Sequence, residues 1–417
     1  MNVRRRSSAA ALAAIAVIGA ATAPAVAADP SPSSAPSKTA PSGLYGSTDP
    51  QYDGVWRQSL ALLAQDTAGV IPSSTAVKWL TDQQCANGAF APFRADPAAA
   101  CDAKTPIDTN NTAAAVQALW AVGGHGDVIE EALGWLKSVQ NKDGGWGYVP
   151  GTPSDANSTS VVIGALTATE TDPEDVRKGG KSPYDALLTF ALPCAKDKGA
   201  GAFAFQPDKD GRLLPNADAT AAGVLGALGT GLVAEAGKKT DAASCADADR
   251  PDRERAAANA AAYLTDTLAK DGHLVSALGG SADQPDYGNT ADAVVALAAR
   301  GGADKAAEPL AWLKKNAAKW AGESGPAAYA QLIFAAHATG TDPRDFGGTD
   351  LVEKLNATGP APQGTTAKDT ATASDEDKAE EKDDDSPFGV WWFVGVCLLF
   401  GIGIGFLLSN RNKKQQP

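Results

Sequence analysis

The chain has 417 residues and a formal net charge of −13, from 49 acidic and 36 basic residues. An acidic balance of this size excludes a nucleic-acid binder, which needs basic patches. The first residues are a targeting signal. Arg4, Arg5 and Arg6 form the charged start, Ala9 to Ala21 the apolar stretch, and Ala25-Val26-Ala27 a small-residue cleavage site. A signal peptide over 1–28 leaves a mature start at Ala28 or Asp29 and takes the protein out of the cytoplasm. Residues 29–47 are rich in Pro, Ser and Ala with almost no large apolar residue, so a disordered linker is expected there.

From 48 to 358 the composition changes. Ala and Leu recur at helical spacing, Gly and Pro punctuate them, and no convincing strand alternation is present. Two helix types alternate. One ends in a motif whose clearest copy is Trp135 to Tyr148, WLKSVQNKDGGWGY. There Gln140 follows Leu136, and Asp143, Gly144, Gly145 and Trp146 make a tight turn. Glycine supplies the positive φ that ends a helix, and the Trp can fold back over the helix end. A weaker copy lies 56 positions earlier, with Trp79, Leu80, Gln84, Asn87, Gly88 and Phe90. Copies of this helix are expected around Val77–Gln84, Ile129–Gln140, Tyr184–Leu192, Arg255–Leu268, Ala307–Ala318 and Thr349–Leu355. The later ones drift, and Asp271-Gly272-His273-Leu274 keeps only the turn.

The other type starts with a polar cluster and runs into small apolar residues. Asp108-Thr109-Asn110-Asn111-Thr112 leads to Leu119, and Asp155-Ala156-Asn157-Ser158-Thr159 to Leu166. Asn216-Ala217-Asp218-Ala219-Thr220 leads to Leu228, and Asp286-Tyr287-Gly288-Asn289-Thr290 to Leu297. Tyr52 to Ala64 is a divergent first copy and Pro326 to Ala336 a divergent last one. Small residues suit helices that converge on an axis, so this type forms an inner ring. Repeats bury their apolar faces against their neighbours, which favours one all-α domain over two separate ones. Six of each type would close an α6/α6 toroid.

The motif resembles the QW motif of squalene cyclases and the related repeat of protein prenyltransferases, over roughly Tyr52 to Leu355. Both families fold as α/α toroids, so the resemblance implies that fold. It does not fix an activity, because similar rings serve non-enzymatic cobalamin carriers.

Past 358 the chain turns polar again. Residues 359–387 include the acidic run SDEDKAEEKDDD and read as a solvated spacer. Phe388 to Leu408 then carries no charge over 21 residues, about 31 Å of helix and close to the ~30 Å hydrocarbon core. Trp391 and Trp392 stand near one end, and Arg411, Lys413 and Lys414 follow the other. A transmembrane helix at 388–409 with a cytoplasmic tail at 410–417 is expected. The toroid would then be extracellular on a single-pass anchor in the cell membrane, with the lipid bilayer as its partner. No LPxTG-type sorting motif precedes the span. Gly401 and Gly405 form a GxxxG pair that permits helix pairing.

Four cysteines lie in the exported part and Cys397 in the span. An even count outside the cytoplasm suggests disulfides. The nearest pairing is Cys85 with Cys101 and Cys194 with Cys245, worth roughly 3 and 4 kcal/mol, and three connectivities are open. Protein prenyltransferases hold zinc through Asp, Cys and His. Here His125, His273 and His337 lie in different repeats and read as surface or loop residues, so no metal site is expected. Squalene cyclases protonate substrate from a DxDD box. The Asp runs here lie in the acidic linker, and the few aromatic residues leave little to stabilise a carbocation. No Ser-His-Asp signature, Walker loop or dinucleotide fingerprint is present, and no catalytic residue or cofactor is assigned.

The polar residues at the inner-helix starts are natural N-caps, each worth about 1 kcal/mol. They could equally line one mouth of the ring, where helix dipoles and orphan N–H groups converge. An amide-rich rim of this kind is similar to the α-domain of transcobalamin and intrinsic factor, in which Asp and Asn at inner-helix starts bind corrin side chains. That resemblance implies a cobalamin-binding set of Asp108, Asn110, Asp155, Asn157, Asn216, Asp218, Asp286 and Asn289. The carriers close over the ligand with a β-rich domain, so a separate β-domain protein or an importer subunit would have to supply that face. The expectation is therefore ligand capture without catalysis. The alternatives are an enzyme acting on a polysaccharide or terpenoid in the cavity, through a carboxylate pair for a glycosidase, and a surface scaffold.

Overall fold

The structure, a computed structural model, describes residues 41–365 except 196–197, 241–243, 248–251 and 277–283. The expected signal peptide, most of both linkers, the transmembrane helix and the cytoplasmic tail lie outside the described residues. Among the described residues no helix is long and apolar enough to cross a membrane.

Twelve α-helices are present among the described residues. They are α1 (Gly54–Thr67), α2 (Ser74–Asp82), α3 (Thr109–Val122), α4 (Gly126–Ser138), α5 (Ala156–Ala168) and α6 (Pro183–Leu188). Next come α7 (Ala217–Leu228), α8 (Arg253–Leu268), α9 (Tyr287–Gly301), α10 (Ala307–Ser324), α11 (Pro326–Ala338) and α12 (Leu351–Asn356). The odd-numbered helices pack in sequence, each on the next, and α11 returns to α1, so the inner ring closes. Each even-numbered helix packs outside its odd-numbered predecessor.

Composition explains which helix goes where. α4 buries Ile129, Ala132, Trp135 and Leu136 along one stripe and leaves the rest outward, as a one-faced helix must. α5 and α7 are small and apolar all round, and bury most of their length. Close approach demands the small residues. A Cβ on Gly226 would stand 2.5 Å from Ser160 Oγ and 2.9 Å from a Leu187 methyl.

The repeat motif works as a clasp between neighbours. Gln140 Nε2 donates to Gly144 O (2.8 Å) and to Val176 O in the next repeat (3.0 Å). Gln84 does the same with Gly88 O (3.1 Å) and Val128 O (2.8 Å). Trp146 Nε1 donates to Leu136 O at 2.8 Å and so satisfies a carbonyl of the last turn of α4. Gly144 has φ +90°, and a Cβ there would meet Ser182 O at 2.3 Å.

The folded unit passes both edges expected for it, 48 and 358. Leu44 and Tyr45 are buried, and the Tyr45 hydroxyl donates to Gln65 Oε1 (3.0 Å). Arg57, almost fully enclosed, donates to Tyr45 O, Thr48 O and Thr48 Oγ1 and pairs with Asp53. Strand content is confined to two antiparallel pairs, each of two-residue strands. β1 (Val70–Ile71) pairs with β4 (Gly364–Thr365), and β2 (Leu274–Val275) with β3 (Pro285–Asp286). Cys85 is joined to Cys101 and Cys194 to Cys245, each with Cα atoms 5.6 Å apart.

Candidate functional site

The polar clusters at the inner-helix starts divide into two tiers. Asp108, Asp155, Asn216 and Asp286 are the N-caps of α3, α5, α7 and α9. Their side chains accept from Asn111 N (2.7 Å), Ser158 N (2.7 Å), Ala219 N (2.8 Å) and Asn289 N (3.1 Å). Second bonds occupy three of them further. Asp108 takes Asn111 Nδ2, Asp155 takes Ser158 Oγ, and Asp286 takes Asn289 Nδ2. Burial pushes the Asp155 carboxyl above the usual range and that of Asp108 up to about 6, with the helix N–H groups pulling the other way. Burial, with the nearby Asp108, holds the Tyr148 hydroxyl above the ordinary tyrosine range.

Two residues past the cap, the side chains turn inward. Asn110, Asn157 and Asp218 line a cavity of about 200 Å³ enclosed by the inner ring. Its deeper wall is Leu60, Val161, Ala222, Leu225, Val295 and Phe334, with Trp56 beside them. That is small against the ~300–1,000 Å³ usual for ligand pockets, so a longer ligand would leave part of its length in the mouth.

Two polar groups stand in the middle of this wall, Asp292 on α9 and Gln331 on α11. Gln331 Nε2 donates to both Asp292 oxygens at 3.2 and 3.1 Å. Asp292 is half-buried and lines the cavity. Burial, with the nearby Asp218 and Asp286 carboxylates, pushes its carboxyl up to about 7 against the pull of Gln331. Burial also raises Asp218, whose Oδ2 accepts from Asn157 Nδ2 at 2.6 Å. Among the described residues no group of three or more His, Cys, Asp or Glu could hold a metal ion.

The far end of the ring is stopped. The segment after α7 enters between the C-terminal ends of the inner helices, and Thr230, Gly231 and Leu232 form part of the cavity wall. Gln117 fixes it, with Oε1 accepting from Leu232 N (2.8 Å) and Nε2 donating to Val161 O (3.1 Å). His337 pairs with Glu235 of the same segment at 2.8 Å. His125 stands at the N-cap position of α4 without a side-chain capping bond and His273 stacks on Trp312, so the three histidines stay apart.

Of the eight expected ligand residues, the structure thus brings Asn110, Asn157 and Asp218 to the cavity. Asp108, Asp155, Asn216 and Asp286 accept from helix N–H groups, and Asn289 Nδ2 donates to Asp286. Asp292 and Gln331 were not expected. A charge inside the run TADAVVALAAR, where every neighbour is small or apolar, was the available signal.

No family model matches the chain. A drimenyl diphosphate synthase from Streptomyces showdoensis is 34% identical over 110 residues, 25% of this chain and 19% of that protein. Among solved structures, an ent-copalyl diphosphate synthase from Streptomyces platensis is 15% identical, with 69% of this chain covering 50% of it at a TM-score of 0.45. A protein from Actinoplanes is 15% identical, over 73% of this chain and 96% of its own, at 0.46. A type II terpene cyclase from Scytonema is 14% identical, over 65% and 72%, at 0.42. At these identities the structural likeness concerns the fold alone. The chain spans about a fifth of its curated relative and half of the copalyl synthase. The curated relative is a synthase, and this finding overturns the expectation of cobalamin capture without catalysis. A similarity to transcobalamin is not shown, whereas the terpenoid-cyclase likeness has support in the partial match to the curated relative.

Proposed function

We propose that the chain is an enzyme acting on an isoprenoid, with Asp292 as the acid that starts the reaction. The observation that carries this is a carboxyl group held half-protonated near neutral pH in the wall of an otherwise largely apolar cavity. A general acid works best with a pKa near the operating pH. The proton passes from the Asp292 carboxyl to one carbon of a substrate alkene, forming a C–H bond and leaving a tertiary carbocation. A second alkene of the same molecule attacks the cation and closes a ring. Loss of a proton to Asp218 or water ends the step, so product and substrate are isomers. Gln331 holds the Asp292 carboxylate that remains. The faces of Trp56 and Phe334 stand along the same cavity and can stabilise the cation. The partial match to a drimenyl diphosphate synthase supports this substrate class.

Access also suits a lipid. Tyr52, Tyr148, Val149, Phe205, Leu214 and Val275 stand exposed in the segments that lead into inner helices, on the side where Asn110, Asn157 and Asp218 lie. The apolar run at 388–408 supports a membrane anchor beside such a substrate. The test is incubation of the full chain with acyclic prenyl compounds in deuterated water. A cyclic isomer carrying one new deuterium is expected, and no isomer from any prenyl compound would sink the reading.

A further inference from the structure

Resting on the isoprenoid reading of this cavity, we infer that Leu232 is the end stop that sets how long a prenyl chain the ring admits. The cavity is polar at one end and apolar at the other. Asn110, Asn157, Ser160 and Asp218 line it toward the starts of the inner helices. Leu225 and Val295 line it about 12 Å past the first residues of α7 and α9. The segment 229–237 closes that deeper end, and it changes sides at Leu232. Leu232 lines the cavity and not the open recess behind it, whereas Val233, Ala234 and Glu235 line the recess and not the cavity. Thr230 and Gly231 border both. The partition is therefore a single pass of backbone, and Leu232 is its one large apolar residue on the cavity side. Space is not what ends the cavity, since the recess holds about 630 Å³ against about 200 Å³ in front of the stop.

A stop must hold its place against a ligand, and this one is tied to five inner helices. Gln117 of α3 accepts from Leu232 N and donates to Val161 O of α5. Thr230 N donates to Leu225 O of α7 (3.0 Å) and Gly237 N to Ala298 O of α9 (2.9 Å). His337 of α11 pairs with Glu235. Packing is close as well. A Cβ on Gly231 would stand 2.3 Å from Gln117 Oε1, and one on Gly164 of α5 would stand 2.7 Å from Gly231 Cα. A prenyl chain that enters tail first comes to rest on Leu232, and any isoprene unit beyond that depth stays in the mouth. Each CH₂ taken out of water is worth about four-fold in affinity. Affinity should therefore climb with chain length until the tail meets Leu232 and then level off. The same contact fixes which alkene stands beside Asp292, so the stop bears on where protonation falls as well as on length.

Binding to the full chain in a fixed detergent can be followed by quenching of tryptophan fluorescence, since Trp56 lines the cavity. The probes are geraniol, farnesol and geranylgeraniol, which differ by one isoprene unit at each step. Partitioning into detergent is common to the parent and its variants, so it cancels when their affinity ratios are compared. Leu232→Ala lengthens the apolar end. It should raise the ratio of longer to shorter alcohol by about ten-fold at the step where the parent levels off. Leu232→Phe shortens that end and should lower the ratio at the same step or the one before it. Opposite shifts are what a stop requires, because a loosened segment would move both variants the same way. Should Leu232→Ala fail to fold, Leu232→Val takes its place, with a rise of about four-fold for the one carbon removed. Ratios that stay at the parent's values, or that move together in both variants, overturn the inference and leave the isoprenoid reading standing. If the parent binds none of the three alcohols, the isoprenoid reading falls and the inference with it.

Discussion

Asp155 and Asn157 stand two residues apart at the start of one helix and use their side chains in different ways. Asp155 folds back onto Ser158 and closes the helix end, with both carboxyl oxygens taken. Asn157 faces the axis of the ring, where its amide meets Asp218 from a neighbouring inner helix. The same division separates Asp108 from Asn110 and Asn216 from Asp218. Two residues turn about 200° around a helix, so a single polar cluster in the sequence serves two regions. One is a collar that holds the inner helices in place. The other is the wall of the cavity. Residue type does not distinguish them, since Asp and Asn occur in both, and position relative to the cap does.

The hardest test of this division is Asp292, which belongs wholly to the chamber. Asp292→Asn keeps the shape and the bond to Gln331 but has no proton to give. A general acid contributes about 10²–10⁴-fold, so ring formation by the variant should fall by that factor, measured as cyclic isomer formed per unit time. In the parent protein the rate should decline as pH rises through about 7, because the protonated carboxyl is the active form. A variant with more than a tenth of the parent rate would remove Asp292 from the chemistry.

The same substitution sharpens the comparison through stability. The Asp292 carboxyl sits at about 7 in the folded chain against an ordinary 3.8. A folded-state pKa raised above the unfolded value makes folding most favourable below about 4, with stability lost progressively as pH rises to about 7. The parent protein therefore carries a penalty at pH 8 that Asp292→Asn lacks. Thermal or denaturant unfolding should show the variant more stable at pH 8, by about 2–4 kcal/mol from the size of the shift, with the gap closing toward pH 4. A parent more stable than the variant at pH 8 would mean a charged, well-solvated Asp292 and no stored proton.

The ring itself was legible in the sequence because helical periodicity and the clasp motif are local signals. The six-and-six alternation matches the order of helices, though α6 stops at Leu188, before the expected Leu192, and α10 runs on to Ser324, past the expected Ala318. The chamber was half legible. Cap residues announce themselves by type and by the helix that follows, so Asp108, Asp155, Asn216 and Asp286 were found with Asn110, Asn157 and Asp218 among them. Which of these faces the axis depends on how far each helix is rotated in the closed ring, and that is fixed by packing against both neighbours. Asp292 and Gln331 lie mid-helix, one tier below the clusters, and Ser160 hides in a run of small residues. The segment 229–237 carries no motif, and its position in the far mouth follows from Gln117, more than a hundred residues earlier.

The smallest expected effect separates the two tiers most directly, because it compares neighbours on one helix. Asp155→Ala removes an N-cap and should lower the unfolding free energy by about 1 kcal/mol, at all pH values where the carboxyl is ionised, with farnesol affinity unchanged. Asn157→Ala removes no cap. It deletes an unpartnered carbonyl oxygen, which favours the folded chain, and takes from Asp218 the NH₂ that stabilises its carboxylate. The Asp218 carboxyl then rises further, so the cost of the change should be smaller at acid pH than near pH 8. Affinity for an acyclic prenyl ligand should fall several-fold at both, because Asn157 lines the cavity. Denaturant unfolding at pH 5 and pH 8 beside ligand titration gives all four numbers for each variant. If Asn157→Ala loses stability equally at the two pH values and binds as the parent does, Asn157 is only another strut of the collar, and the division into two tiers fails at the position where it is drawn most sharply.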